Sequence, residues 1–374
     1  MPTRFAFTVP VLLLALSASP VRAASFQGVG RLPGGGLFYS QAQDVAPGPM
    51  VVGGSTLSDN TNAPFLFTPA GGIVEVGPFG ENMYLKAANG ISADGGVIVG
   101  QVSTDFIQSL RPFVWTPAHG PIVLSGFPGN TGAAAALAVS ADGRTVVGYS
   151  DLNISLTNAK AEAFRWSARD GMARLGDFPG GYFYSSATAV SGDGSVIVGS
   201  SSGALGLQAF RWTRLGGLAG LGWLTEVEFR NSEAFGVSED GSTVVGASNS
   251  PSGREAFVWT AASGMTGLGD FPGPWGGFSS EAHAASGDGA IIVGWGSTQN
   301  GTEAFIWSAA SGMRLLADVL INDYGLDLAG WTLASADAIT ADGLTIAGDG
   351  INPSGQIEGW VATLDPPVAR GVRP

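Results

Sequence analysis

The chain of 374 residues contains no cysteine. That excludes disulfides and cysteine-held metal clusters, so stability has to come from the size of the core and from closure of the architecture. Histidine is nearly absent too, with only His119 and His283. The two fall at different places in the repeat described below, which argues against a paired metal site or a triad built on them. There is no H-E-x-x-H and no Walker loop. Basic residues are scarce, 17 against 30 acidic. Such a surface repels phosphate backbones and anionic lipid, so neither nucleic acid nor membrane is an expected partner. Beyond the first 23 residues no stretch of 18 apolar residues runs uninterrupted, so a soluble mature protein is expected.

What is present begins with that N-terminal segment. MPTRFAFTVPVLLLALSASPVRA has Arg4 near its start, an apolar run from Val9 to Leu16, and small residues at Val21 and Ala23. It reads as a secretory signal peptide, 1–23, with cleavage after Ala23. Without Arg4 and Arg22 the mature chain keeps 15 basic and 30 acidic residues, a net charge of −15. Apolar residues make up 45% of the sequence, enough for a sizeable core, and glycine contributes 59 residues.

The glycines follow a repeat. Apolar tetrads end at Gly53, Gly100, Gly148, Gly199, Gly246, Gly294 and Gly348, at spacings of 47, 48, 51, 47, 48 and 54. Six of the seven units carry [ST]-x-D-G before the tetrad, at Asp94, Asp142, Asp193, Asp240, Asp288 and Asp342. The first unit has Pro47 where the aspartate would stand. Each unit holds four short apolar runs. An alternating one precedes the Asp-Gly, as in Ala187-Thr188-Ala189-Val190. The tetrad follows, then an aromatic run such as Phe257-Val258-Trp259, then a Gly-Met run such as Gly264-Met265 to Gly269. Runs this short, rich in Val, Ile, Phe and Trp and punctuated by Gly, Ser, Asp and Pro, predict strands, and no helix is predicted in the mature chain. Asp-Gly between two strands is a tight turn, for which Gly accepts positive φ and the preceding Ser or Thr supplies a hydrogen bond. One carboxylate per turn is too few for a calcium loop. These six aspartates are therefore read as structural, and no metal or cofactor is expected.

Four strands in each of seven units predict an all-β fold, a seven-bladed β-propeller of four-stranded blades spanning 24–364 with a tail at 365–374. An open β-solenoid is the alternative. The last unit lacks a fourth strand, and the segment from Phe26 to Gly35 resembles one, so the two ends can complete a shared blade. Such closure removes exposed sheet edges.

The recurrent A-x-A-V-S-x-D-G-x-x-V-V-G, the E-A-F-x-W and the G-M-x-x-L-G-D-F-P-G together resemble the HAF-type extracellular repeat family of bacteria. The resemblance covers Phe26 to Leu364 and implies export and repetition; it carries over no catalytic residue. Relatives of this kind often end in a sorting tail or a membrane barrel. This chain ends DPPVARGVRP, so release into the periplasm or the medium is expected.

Function is less legible. Gly199-Ser200-Ser201-Ser202-Gly203 matches G-x-S-x-G, but a strand leads there into a polar loop rather than through a sharp turn into a helix. Loops on one propeller face carry aromatics beside hydroxyls and amides, which suit stacking on sugars or gripping a peptide. The less regular ones, Tyr39, Tyr84, Tyr182, Tyr184 and Trp275, are the candidate ligand-binding residues. The aromatics of F-P-G (Phe127, Phe178, Phe271) read as core. The leading expectation is an exported, non-enzymatic protein that binds a glycan or an extracellular protein. The alternatives are a hydrolase or lyase with an axial carboxylate site, for which Glu226, Glu228 and Glu281 are candidates with no evident pairing, and a structural envelope or matrix component.

Overall fold

The computed structural model describes residues 23–34, 38–59, 61–80, 86–103, 110–128, 132–151, 160–225, 230–271 and 278–364. The segments 1–22 and 365–374, read above as most of the leader and the tail, lie outside the described residues. Among those described, the strands form seven four-stranded antiparallel units. The first comprises Ser40–Ala46, Met50–Thr56, Asn62–Thr68 and Gly72–Glu75. The fifth comprises Ser232–Val237, Thr243–Ser250, Gly253–Thr260 and Gly264–Gly269. Short parallel contacts join the third unit to the fourth, Ala161 to Tyr184, and the fifth to the sixth, Gly253 to Phe278 and Arg254 to Ser279.

The chain ends meet. Ser25–Gly28 pairs antiparallel with Ile357–Thr363, with Phe26 opposite Ala362, and becomes the outermost strand of the seventh unit. The inner strands of successive units lie side by side round a ring, and Thr332–Ile339 of the seventh unit returns to Ser40–Ala46 of the first. The fold is all-β and propeller-type.

The core lies between units. Phe65, Phe113, Phe164, Phe210, Phe257 and Phe305, one from each aromatic run, are fully buried, and Trp360 takes this place in the seventh unit. Across each boundary they pack on the tetrad of the unit before. Ala46 and Val52 of the first unit meet Ala88, Ile98 and Phe113 of the second. The closing boundary is sealed alike, Ala338, Ala347 and Val361 meeting Val45, Val51 and Phe65.

The six Asp-Gly segments share one geometry. In the fifth unit Ser238 Oγ donates to Asp240 Oδ1 (2.6 Å), Asp240 Oδ1 accepts from the Ser242 N–H (2.9 Å), and Ser238 Oγ accepts from the Thr243 N–H (2.9 Å). Gly241 sits at φ +72°, where a side chain would be strained. The corresponding bonds recur around Asp94, Asp142, Asp193, Asp288 and Asp342.

One expectation is corrected. Leu316–Asn322 is a short α-helix where only strands were predicted. Leu316, Val319 and Leu320 are buried at helical spacing, and Leu316 and Leu320 pack between the sixth and seventh units, so tertiary packing decides over a local pattern that reads as the end of a fourth strand. No described helix is long and apolar enough to cross a membrane.

Candidate active site

Each inner strand slips by one residue against the second strand of its unit at the same place in the repeat, where the skipped residues are Gln43, Asn89, Leu137, Thr188, Phe235, His283 and Asp337; the fourth and seventh inner strands have a further irregularity nearer their starts. A bulge of this kind re-aims one side chain. All seven line a single channel of about 380 Å³ on the axis of the ring.

The repeat builds this arrangement. The residue before each bulge is an alanine with no exposure: Ala42, Ala88, Ala136, Ala187, Ala234, Ala282 and Ala336. Opposite it stands the glycine that closes the tetrad. A Cβ on Gly246 would lie 1.9 Å from the Glu233 carbonyl oxygen, and one on Gly53 would lie 1.8 Å from that of Gln41. Backbone approaches backbone there, which only glycine permits.

At His283 and Asp337 the channel wall becomes charged. His283 Nδ1 lies 2.8 Å from Asp337 Oδ1, across the boundary between the sixth and seventh units, and His283 Nε2 lies 3.5 Å from Glu281 Oε2. Glu281 Oε1 accepts from Arg254 Nε at 2.5 Å, and Arg254 Nη2 donates to Glu233 Oε1 at 3.0 Å. Ser335 Oγ donates to Asp337 Oδ2 at 2.7 Å. The Phe235 ring meets the His283 ring edge-on, with centroids 5.7 Å apart.

Burial alone would push the His283 imidazolium down. The hydrogen bonds and charges of Asp337 and Glu281 outweigh it and hold His283 up at about 9, so the ring is protonated at neutral pH. Burial would likewise raise Glu281, but His283 and Arg254 outweigh it and hold the carboxyl below its ordinary range. Asp349, on the second strand of the seventh unit, goes the other way. Burial and the Asp337 charge push it up to about 8, against the Ala42 N–H, which donates to Asp349 Oδ1 at 2.8 Å, and the Gln41 side chain. Burial also raises Asp44 to about 6, although its oxygens accept the N–H groups of Ile91 (2.9 Å) and Val45 (2.8 Å).

The candidate ligand-binding aromatics divide. Tyr39 and Tyr184 are half-buried. Burial and the Asp349 charge raise Tyr39, and burial and the Glu233 charge raise Tyr184. Tyr182 stands 81% exposed. Tyr84 and Trp275 lie outside the described residues, as do Glu226 and Glu228. Glu281, for which the sequence offered no pairing, is paired twice, and His283 is likewise engaged rather than isolated. Ser201 is buried in the strand Val196–Gly203, where its Oγ accepts the Phe178 N–H at 2.9 Å, an environment unlike a nucleophile's. Among the described residues no three His, Asp or Glu side chains gather in a metal-holding arrangement.

Asp337, Asp349, Arg254 and Glu233 went unmarked in the sequence. The signal that could have found Asp337 is the x of the repeated A-x-A. It is Thr188 in the fourth unit, His283 in the sixth and Asp337 in the seventh; it differs in all seven units, whereas the alanine before it is common to all of them.

No family model and no curated protein matches the chain. Solved structures share its architecture. Oligogalacturonate lyase in complex with manganese is 13% identical, with a TM-score of 0.57 over 92% of this chain and 97% of that one. The β-propeller domain of the trilobed protease from Pyrococcus furiosus is 9% identical, with a TM-score of 0.54 over 87% and 95%. A puromycin hydrolase S511A mutant complexed with PGG is 16% identical, with a TM-score of 0.56 over 91% of this chain and 55% of that one. The chain spans 62% of TolB from Acinetobacter baumannii, with 14% identity and a TM-score of 0.46. Likeness at such identities carries the fold, which is that of a β-propeller.

The expectation of a non-enzymatic protein binding a glycan or protein through its loop face is overturned. Its neighbours on this fold include a lyase and a hydrolase. Of its described aromatics, Tyr39 and Tyr184 are half-buried, and the charges of nearby carboxyls raise both.

Proposed function

We propose that the chain is a hydrolase or lyase whose reacting groups are the carboxyls of Asp337, on the wall of the axial channel, and of Asp349 beside it. One observation carries this reading. Asp337 lines the channel and Asp349, on the neighbouring strand, interacts with it, yet their surroundings differ. His283 and Ser335 hydrogen-bond Asp337, while Asp349 has burial and the Asp337 charge against it and keeps its proton near neutral pH. A carboxyl that keeps its proton beside a second carboxyl can supply the acid of such a pair, with the second as the base. Asp349 donates to the leaving oxygen or nitrogen. Asp337 takes a proton from water, in hydrolysis, or from carbon, in elimination. The protonated His283 holds Asp337 in place and stabilises negative charge that develops beside it. Arg254, clamped between Glu233 and Glu281, fixes the strand position from which His283 projects. The lyase and the hydrolase among the structural neighbours support the reaction class by showing that this fold carries such chemistry.

The leader-like segment 1–23 and the resemblance of the repeats to the HAF type support export to the periplasm or the medium as part of the same reading. The test is a panel of ester, amide, glycoside and uronide substrates, with Asp337→Asn and Asp349→Asn beside the unaltered chain. Turnover that either variant lowers by about 10²–10⁴-fold is the expected result. Turnover that both variants retain would remove the reading.

A further inference from the structure

We propose that the axial channel binds an amphipathic amine, an apolar body carrying one protonated nitrogen. The seven bulge residues do not alternate in character round the ring. They divide into two arcs. His283, Asp337 and Gln43 come from three successive units, the sixth, the seventh and the first, and Asp44 follows Gln43 on the same strand. Leu137, Thr188 and Phe235 come from the third, fourth and fifth. In the second arc Thr188 spends its hydroxyl hydrogen on the Ala234 carbonyl (2.7 Å), so that arc offers the channel no free donor. Asn89 of the second unit likewise donates to the Ala136 carbonyl (2.8 Å). One wall is therefore charged, and the facing wall is mostly apolar, extended by Val139, Val190 and Val237, with Glu239 in the turn after Val237 as its one charged group.

The sign of the charge selects the ligand. Three carboxylates line the channel, Asp44, Asp337 and Glu239, against the single cation His283. The His283 charge is itself shared with Glu281, which lies outside the lining. An anion entering here would lose water to face carboxylates, whereas an ammonium group exchanges its water for them. The raised Asp44 agrees, since its carboxylate has no positive partner and a cation beside it would favour the charged form. The volume of about 380 Å³ suits a small organic molecule. In naming the substrate class of the site on the channel wall, the proposal rests on the hydrolase or lyase reading; the binding itself does not.

The test is calorimetric titration of the full chain at pH 7 with n-hexylamine, n-hexanol and n-hexanoate. Hexylamine should bind at least about tenfold more tightly than hexanol, a gap of about 1.4 kcal/mol, and hexanoate should not bind. Gln43→Lys, at an exposed position on the channel wall, should weaken hexylamine about tenfold or more. Asp44→Asn, which keeps an oxygen for the Ile91 N–H, should weaken it as well, and circular dichroism checks that both variants fold. Equal binding of the three probes, no binding of hexylamine, or affinity unmoved by both variants would overturn the proposal. Binding without turnover of any substrate would leave the channel site standing and remove the reaction. Turnover without hexylamine binding would do the reverse.

Discussion

Two positions in each unit lie five residues apart and behave in opposite ways. One is the aspartate of the Asp-Gly turn, Asp240 in the fifth unit. It recurs in six units with the same three hydrogen bonds, which hold the carboxyls of Asp94, Asp193, Asp240 and Asp288 below their ordinary range. The other is the bulge residue, Phe235 in that unit, which differs in every unit and faces the channel. A position that repeats solves a problem every unit has, here a tight turn. A position that never repeats is free of that constraint, and a ring brings all of its versions to one axis. Function in this architecture is expected where the repeat breaks.

The largest effect that sharpens this comparison is on the core. Phe257→Ala empties a fully buried repeated position between the fourth and fifth units and should cost about 3–5 kcal/mol in urea unfolding. Leu137→Ala, a half-buried bulge residue facing the channel, should cost well under half as much. Equal losses would show that bulge residues carry the fold as repeated ones do.

The same contrast explains what the sequence shows and hides. The strands, the units and the pairing of Phe26 with the last unit are legible because each depends on a short pattern or on a count that closes. The glycines of the tetrads are legible as a repeat, although their reason, the carbonyl less than about 2.2 Å from a would-be Cβ, appears only when two strands are paired. The contact between His283 and Asp337 is not legible. His283 and Asp337 are separated by 54 residues, and no local pattern links them until the inner strands of two units lie side by side. The helix Leu316–Asn322 is hidden for a different reason: a seven-residue element gives periodicity too little length to register.

The axial groups and the turn aspartates should also answer pH in opposite directions. The turn carboxyls are held low, so their contribution is present above an unfolded value of 3.8 and is lost as pH falls through their folded values. Asp44 and Asp349 are raised from 3.8 to about 6 and about 8, so the folded state holds protons that the unfolded chain has released, and stability falls with rising pH across those intervals. His283, raised from 6.5 to about 9, stabilises fully below 6.5 and loses that contribution as pH rises through 9. The melting temperature should therefore be highest near pH 4 and decline towards pH 9. Asp349→Asn should flatten the decline between pH 4 and 8. A melting temperature that climbs over this interval would show that the axial groups are not shifted as described.

The smallest effect separates the turn's serine from an exposed aromatic. Ser238 is buried, and its Oγ both donates to Asp240 and accepts the Thr243 N–H. Ser238→Ala removes that acceptor from a buried donor and leaves Asp240 one hydrogen bond short, which should cost about 1–2 kcal/mol. Tyr182→Ala, at a side chain that is 81% exposed, should change stability by no more than about 0.5 kcal/mol. The two substitutions remove side chains of very different size, and the smaller one should matter more. Urea midpoints measured on both decide it. If Tyr182→Ala proved the costlier, the turn would be held by its backbone and glycine alone, and the recurrence of serine or threonine two residues before the aspartate would need a cause other than this hydrogen bond.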